Sequence, residues 1–512
     1  MPTRSKRFLA GLVTGYGNIM VNVVFTMVSV PLALHYLDKE QFGLWALAVQ
    51  ISGYLGLIDL GMSSAISRFA ADHKDNVNGG EYGSNLITGA AVFLIQGMLV
   101  AACGIGFSWL APSVFAVPAH LSEQFRILLV ILSATTGAGV ALRSIGSPLW
   151  AFQRSDLING CSSASLIINL ALLWLGFANG LGLITCAIAP IPALLATSAL
   201  CGWVCRRNGY YPSKGNWGKP SLTVFKGVFS FGKDTVIISI GGQLINASQI
   251  MIISRFISLE AAATFAVATK FYTLAMSLVT TPVAASAPGL TELHVRGDKD
   301  RFNARYWDLI IMVLALATIG GSCLAMGNRT FISLWTHGRV TWDWSSDYLL
   351  GLLIVFRNLS GCMIGMFGLL KDWRPVRYIY PLEGLIFILT AVALAKVAGT
   401  TGILTASLIA NVLVTLFFLR KIAEKILGSL KRIAKPLTLS LGLISAASAI
   451  SWFCARLSDN PYFTLAVTVG FGLSSLVFTW ALMLPMNLRL EISTSIARIL
   501  SKSGKVKITR HS

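Results

Sequence analysis

The sequence predicts an all-α polytopic membrane protein with about fourteen transmembrane helices, and three observations support this fold class. The chain of 512 residues is 55% hydrophobic and only 12% charged, about half the charged fraction of a soluble domain. Its mean hydropathy is +0.70. Its apolar residues form continuous stretches of about 20 residues, the length that crosses a hydrocarbon core about 30 Å thick as a helix. This composition excludes a soluble enzyme and a nucleic-acid-binding protein, although the pI is 9.8.

The apolar stretches define the predicted spans. The first carries Asn18 and Asn22, and no small-residue cleavage site follows it, so we expect a retained helix rather than a signal peptide. The runs lack the period-2 alternation of membrane β-strands. The spans are 8–34, 43–68, 85–112, 126–149, 157–178, 181–205, 228–254, 259–289, 306–333, 348–370, 377–396, 400–420, 436–456 and 462–487.

The positions of the basic residues predict the orientation of these spans. Lys and Arg number 41 against 21 Asp and Glu, a net charge of +20. With the N-terminus inside, thirty of the 41 fall in or beside cytoplasmic segments, seven in outer segments and four within spans. Because cytoplasmic loops are enriched in Lys and Arg, we expect a multi-pass membrane protein with both termini in the cytoplasm. Most of the positive charge therefore reflects topology.

An internal similarity predicts two related halves. A shift of 220 residues aligns Tyr36-Leu37 with Phe256-Ile257 and Glu40 with Glu260. Six helices per half would give the halves the same orientation, a parallel pseudo-repeat found in transporters. The predicted domains are an N-lobe (1–205, helices 1–6), a basic cytoplasmic linker (206–227), a C-lobe (228–421, helices 7–12), helices 13–14 (422–487) and a basic cytoplasmic tail (488–512).

Three cations within spans are the predicted substrate-binding residues: Arg143, Lys270 and Arg357. A charge near the bilayer centre costs about 2.5–3.5 kcal/mol on insertion scales, so such residues usually face a cavity or a partner. Lys270 belongs to a helix face of small and polar residues, from Ala263 to Pro288. That face predicts a water-lined cavity, with close helix packing as the alternative. Arg143 continues a stripe of small and polar residues, Thr136, Gly139 and Ser147, and it lies nearer the inner end of its span, where its side chain could also reach the interface.

Four further charged residues are weaker candidates. Asp59 and Asp234 are candidates for counter-ions or for coupling to protons or sodium. Arg68 and Lys233 lie near the predicted inner ends of spans two and seven and are candidates for lipid headgroup contact.

Searches for metal, cofactor and catalytic motifs yield no candidates. The eight cysteines lie in predicted spans without the histidines of a metal site. Gly215–Ser221 lacks both the spacing and the strand–helix context of a phosphate loop. The sequence thus predicts no metal, no cofactor and no catalytic residue.

A series of short elements lies at and beside Leu37–Ala71: Tyr36-Leu37, Phe42–Trp45, Leu57–Gly61, Ser64-Ala65 and Arg68-Phe69. With these elements, the region resembles bacterial polysaccharide flippases of the multidrug/oligosaccharidyl-lipid/polysaccharide exporter superfamily, which implies a location in the bacterial inner membrane. The resemblance implies two six-helix lobes around a cationic cavity, with alternating access carrying undecaprenyl-diphosphate-linked oligosaccharide to the outer leaflet. It implies membrane lipids as partners, with polysaccharide polymerase machinery as a further candidate.

The functional prediction is therefore a non-enzymatic flippase for lipid-linked oligosaccharide in polysaccharide biosynthesis. The main alternative is a cation-coupled drug or small-molecule exporter of the same superfamily, which excess buried acids would favour; here buried cations outnumber them. A polytopic glycosyltransferase or ligase is a less favoured alternative, because its general acid–base chemistry needs a larger outer loop than the 12–15 residues predicted.

Overall fold

The structure, a computed structural model, describes residues 4–59, 61–370, 372–425, 431–458 and 460–494. Within these ranges it describes side chains except those of residues 4–12, 64, 230–235, 288, 423–425 and 431. The protein is 88% helix, and the described residues contain no strand. The predicted all-α membrane fold is confirmed.

The described helices account for the predicted spans. Twelve helices are long and apolar enough to cross a membrane, and the bent pair Val236–Asn246 and Ser248–Phe256 adds a thirteenth if it is one span. The stretch Arg374–Ile422 has 49 residues and would be about 74 Å long as one helix, more than twice the hydrocarbon thickness. Gly399 interrupts it with non-helical φ 57° and ψ −136°. This stretch therefore contains predicted spans eleven and twelve.

Residues fall into two compact units, of which the first comprises Met1–Val267 and Arg377–Ile403. Its α-helices are α1 (Arg4–Tyr36), α2 (Lys39–Leu55), α3 (Met62–Asp72), α4 (Glu81–Val114), α5 (Ala119–Ala151), α6 (Ser155–Ala178), α7 (Thr185–Ile188), α8 (Pro190–Arg207), α9 (Leu222–Asn246), α10 (Ser248–Phe256), most of α11 (Leu259–Ala268) and the first part of α15 (Arg374–Lys425). Its core packs α3, α4, α5 and α9 around Met62, Phe93, Val140 and Val228.

The second unit comprises Ala268–Val376 and Leu404–Ser512. Its helices are α12 (Lys270–Val295), α13 (Lys299–Trp335), α14 (Trp344–Leu369), the second part of α15 (Arg374–Lys425), α16 (Lys431–Leu457) and α17 (Pro461–Leu482). The central helix, α13, packs against α12, α14, α16 and α17. The six-helix lobes remain a prediction.

Each unit contains a pair of long helices in close contact through glycine. In the first unit, a Cβ atom at Gly97 of α4 or Gly137 of α5 would clash with the other residue's carbonyl oxygen. In the second, Gly321 of α13 and Gly351 of α14 approach each other in the same way. Small residues allow membrane helices to pack backbone to backbone. These contacts fix α4 and α13, which carry polar side chains described below.

The predicted linker 206–227 is folded against the first unit. After α8 ends at Arg207, the ring of Tyr210 stacks on Phe152 with centroids 4.2 Å apart. The Tyr211 hydroxyl donates to the carbonyl of Ile145 at 2.6 Å, and burial raises the pKa of this phenol, so it remains a donor. The Ser84 hydroxyl donates to the carbonyl of Lys219 at 2.6 Å. Residues 208–221 therefore form part of the first unit's structure.

Candidate functional site

The second predicted span is interrupted inside the motif Leu57–Gly61. Helix α2 ends at Leu55, a 3₁₀ turn covers Gly56–Asp59, and α3 begins at Met62. Gly61 has φ +68°, a left-handed conformation that glycine adopts without steric cost. Helix ends leave backbone groups without intrahelical partners, so this span-two interruption (described residues 56–59 and 61) needs polar partners within the protein.

Gln96 of α4 supplies hydrogen-bond donors to this interruption. Its Nε2 atom donates to the carbonyl oxygens of Ile58 at 3.1 Å and Asp59 at 2.7 Å, and the residue is 4% exposed. Sequence reasoning missed Gln96. The available signal was an amide in an apolar span, because polar groups at membrane depth need partners.

Arg143 of α5 contacts the same interruption through an ion pair with Asp59. Its Nη1 atom lies 3.6 Å from Asp59 Oδ1 and donates to the Ser63 hydroxyl at 3.4 Å, while Ser63 donates to the Asp59 carboxylate. The Asp59 side chain is 20% exposed and that of Arg143 is 52% exposed. The structure thus brings together two predicted site residues as an ion pair with accessible surface left on the cation.

A cavity of about 620 Å³ adjoins this pair. Its described walls come from α3, α5 and α8, with Phe93 from α4, and they are mainly apolar with hydroxyl groups interspersed. The predicted polar stripe of α5 supplies Gly139, Arg143 and Ser147 to the lining. Arg143 is the cation in that lining, so the cavity offers an apolar space with one positive charge at its wall.

A second interruption lies in predicted span eight, in the second unit. Helix α11 ends at Ala268 and α12 begins at Lys270, with Thr269 between them at φ −86° and ψ 0°. Asn328 of α13 donates through Nδ2 to the carbonyl oxygen of Ala268 at 3.3 Å. Sequence reasoning missed this span-eight interruption (residue 269), because Thr and Lys are not the residues that usually mark a helix break.

Lys270 stands directly after this interruption. The side chain is partly buried, and no ion pair to it is found in the described part of the chain. On the predicted stripe, Ala263 and Ala266 are buried, whereas Thr273 and Ser277 are less buried. The stripe is therefore buried before Lys270 and more accessible after it.

Arg357, the third predicted cation, lies on α14 and is partly buried. The adjacent Asn358 donates through Nδ2 to the Met276 sulfur at 3.0 Å and to the Ile354 carbonyl at 2.7 Å. That contact joins α14 to α12, so the turn bearing Arg357 is held against the helix that begins with Lys270.

The remaining predicted site residues are Arg68, Lys233 and Asp234. Arg68 is an exposed residue of α3. Lys233 and Asp234 belong to α9, but their side chains lie outside those the structure describes; the tail residues 495–512 also lie outside it. No group of three or more His, Cys, Asp or Glu that could hold a metal ion occurs among the described residues.

Solved structures share this fold. One is the lipid II flippase MurJ in an inward closed conformation, with a TM-score of 0.68 and 13% identity over 92% of this chain and 98% of that one. Another is an inward-facing multidrug resistance MATE family transporter of the MOP superfamily, with a TM-score of 0.62 and 14% identity over 79% of this chain and 98% of that one. A MOP superfamily transporter from Pyrococcus furiosus has a TM-score of 0.58 and 15% identity over 82% and 95%.

Comparison with curated protein sequences finds no match. The sequence model of the polysaccharide biosynthesis protein family, however, matches residues 11–294. This region includes the span-two interruption, Arg143 and Lys270, and it covers more than half of the chain. The protein is a multi-pass membrane protein with the fold of MOP superfamily transporters, and it belongs to the polysaccharide biosynthesis protein family.

Proposed function

We propose that the protein is a flippase that moves undecaprenyl-diphosphate-linked oligosaccharide across the bacterial inner membrane by alternating access. Family membership supports a role in polysaccharide biosynthesis, and the fold is that of membrane transporters. In this proposal both termini are cytoplasmic, two lobes alternate around the substrate, and the protein is a transporter rather than an enzyme. Polysaccharide polymerase machinery would take up the product.

The observation that carries the substrate assignment is Lys270, a partly buried cation without an ion pair in the described residues. An ionisable group at membrane depth is costly unless it has a partner or faces water. A diphosphate would supply that partner, because hydrogen bonds between ammonium or guanidinium groups and phosphate are charge-assisted. Arg357, on the helix packed against α12, would contact the same anion or an acidic sugar.

Arg143 would act differently, because Asp59 already partners it. A diphosphate oxygen that approaches Arg143 from the cavity competes with Asp59 for the same guanidinium. Displaced from Arg143, the carboxylate would lose its partner and would pair with a coupling ion instead. In this way Asp59 is a candidate for coupling and Arg143 for a second, weaker anion contact.

The function is tested by deleting the gene and fractionating lipid-linked intermediates. We expect complete oligosaccharide units to accumulate on the inner leaflet, with loss of surface polysaccharide. Accumulation of incomplete units would instead indicate a transferase. Normal polysaccharide together with increased sensitivity to drugs would overturn the proposal in favour of a drug exporter.

Substitution tests the cations. We expect Lys270→Ala and Arg357→Ala each to lower flipping about 10-fold or more, since a hydrogen bond to a charged group contributes about 1.5–3 kcal/mol. Lys396→Ala is the matched control, because Lys396 is an exposed residue of α15. The measurements are surface polysaccharide and membrane content of each variant. Undiminished polysaccharide in both Lys270→Ala and Arg357→Ala would contradict their assignment.

A further inference from the structure

Asp347, a residue assigned no role above, is a buried carboxylate in the first turn of α14. It is 2% exposed, and no Lys or Arg side chain forms an ion pair with it among the described residues. It accepts three hydrogen bonds instead. Its Oδ1 atom accepts from Asn328 Nδ2 at 2.7 Å and from Trp342 Nε1 at 2.8 Å, and Oδ2 accepts from the backbone N–H of Arg329 at 2.9 Å.

The Asn328 amide connects this carboxylate to the span-eight interruption. An asparagine amide has two N–H donors on one nitrogen. One goes to Asp347 at 2.7 Å and the other to the carbonyl oxygen of Ala268 at 3.3 Å. Asn328 is itself 2% exposed. The chain of contacts therefore runs from Asp347 through Asn328 to the residue that ends α11, two positions before Lys270.

The chemistry of the carboxylate determines which way the amide faces. An ionised Asp is acceptor-only, so it selects the N–H side of Asn328. The same nitrogen then directs its second hydrogen towards Ala268. A reversed amide would place its oxygen beside both the Asp347 carboxylate and the Ala268 carbonyl, leaving acceptors without donors in a buried site.

We propose that Asp347 is a positioning residue, which through Asn328 holds the span-eight interruption and so sets the direction of the Lys270 side chain. That the Lys270 side chain binds an anionic lipid headgroup rests on the proposed function. The effect of Asp347 on the side chain at position 270 does not rest on it, and a separate measurement tests that effect.

The test uses cysteine labelling in the full-length protein, in a background whose eight native cysteines are replaced. Lys270→Cys places the reporting thiol at the interruption. Ser277→Cys, two turns further along α12, is the control. We expect Asp347→Ala to change the labelling rate at position 270 by a thiosulfonate reagent about 10-fold, as for loss of a charged hydrogen bond. The rate at position 277 stays within about twofold.

The double variant of Asp347 and Asn328 distinguishes an effect transmitted through their hydrogen bond from a general loss of protein stability. Asn328→Ala should reproduce the effect at position 270, and Asp347→Ala should add nothing in its presence, because the two residues act through one connection. An unchanged rate at position 270, or equal changes at 270 and 277, would overturn the proposal. Independent, additive effects would overturn it as well.

If Asp347→Ala does not fold, Asp347→Asn carries the test, since it retains one acceptor oxygen and the side-chain shape. We expect a smaller change, about threefold, at position 270; no change there would overturn the proposal. Labelling does not depend on transport. A gene deletion without a polysaccharide defect would therefore remove the proposed function while leaving the labelling result to decide the role of Asp347.

Discussion

In both interrupted spans a side-chain amide donates hydrogen bonds to the backbone, but the two spans differ in whether the nearby cation has an ion pair among the described residues. At the span-two interruption, Gln96 donates to backbone carbonyls and the nearby cation, Arg143, is paired with Asp59. At the span-eight interruption, Asn328 donates to a backbone carbonyl, but Lys270 has no ion pair in the described residues. There the acid, Asp347, accepts a hydrogen bond from the Asn328 amide. It forms no ion pair with Lys270 among the described residues.

This difference distinguishes a cation that is already paired within the protein from a cation that a ligand would pair with. A buried charge without a partner is destabilising, and removing one member of a pair leaves the other uncompensated. In the first unit Asp59 compensates Arg143, so in the proposed function an anion would compete with Asp59. In the second unit no ion pair compensates Lys270 among the described residues, which is the arrangement that the proposed function requires of a binding residue.

The largest predicted effect is at Asn328. Asn328→Asp removes both donors and places a second carboxylate 2.7 Å from that of Asp347. We expect a loss of about 3 kcal/mol or more in the free energy of unfolding, as when a buried charge lacks compensation. Thermal unfolding of the purified protein in detergent measures it.

The matched control exchanges the two residues. Asn328→Asp combined with Asp347→Asn restores one amide and one carboxylate, so we expect most of the lost stability to return. The contact to the Ala268 carbonyl would still be missing. A double variant no more stable than Asn328→Asp would contradict the hydrogen-bond account of this pair.

A smaller effect is predicted at Gln96. Gln96→Leu keeps a side chain of similar size but removes the donors to Ile58 and Asp59. Hydrogen bonds within membrane proteins average about 0.6 kcal/mol each, so we expect a loss of about 1 kcal/mol. Gln41→Leu is unsuitable as a control because Gln41 forms part of a helix cap. Gln50→Leu, at a half-buried position of α2, is suitable, and equal losses in both variants would contradict a specific role for Gln96.

The smallest predicted effect is the coupling between Arg143 and Asp59. Because half of the Arg143 side chain is exposed, solvent screening reduces the interaction, and a double-mutant cycle should give a coupling free energy of about 1 kcal/mol or less. The cycle uses Arg143→Gln, Asp59→Asn and the double variant in thermal unfolding. A coupling of zero would show that the pair contributes no stability and would sharpen the contrast with Asn328–Asp347.

The transmembrane helices were predictable because apolar length is read directly from the sequence. The interruption of span two was not predicted, since 43–68 is predicted as one continuous span, although its signal, Gly56 and Gly61 on either side of Asp59, is local. The stripe of Gly139, Arg143 and Ser147 was predicted on one face of a helix, and the three residues line one cavity. These features are local, since each depends on residues within a few turns of one another.

The contacts of Gln96 and Asp347 were not predictable in the same way. Gln96 lies 37 residues from Asp59 in sequence, and a periodicity within one helix does not indicate which neighbour it meets. Asp347 lies just outside predicted span ten, 348–370, yet α14 begins at Trp344 and buries it. Its burial depends on donors from Asn328 and Trp342, which approach from α13 and from the preceding loop.

The folded segment 208–221 changes where the chain can be divided. A basic, glycine-rich stretch between two halves is the natural place to insert a reporter domain or to separate the halves for co-expression. Here Tyr82 donates to the carbonyl of Tyr210 at 3.0 Å, and Tyr211 closes over the end of α5. An insertion after Arg207 would therefore detach the half-buried rings of Tyr210 and Tyr211 from α4 and α5. Any split version of the protein has to keep residues 208–221 on the same polypeptide as these two helices.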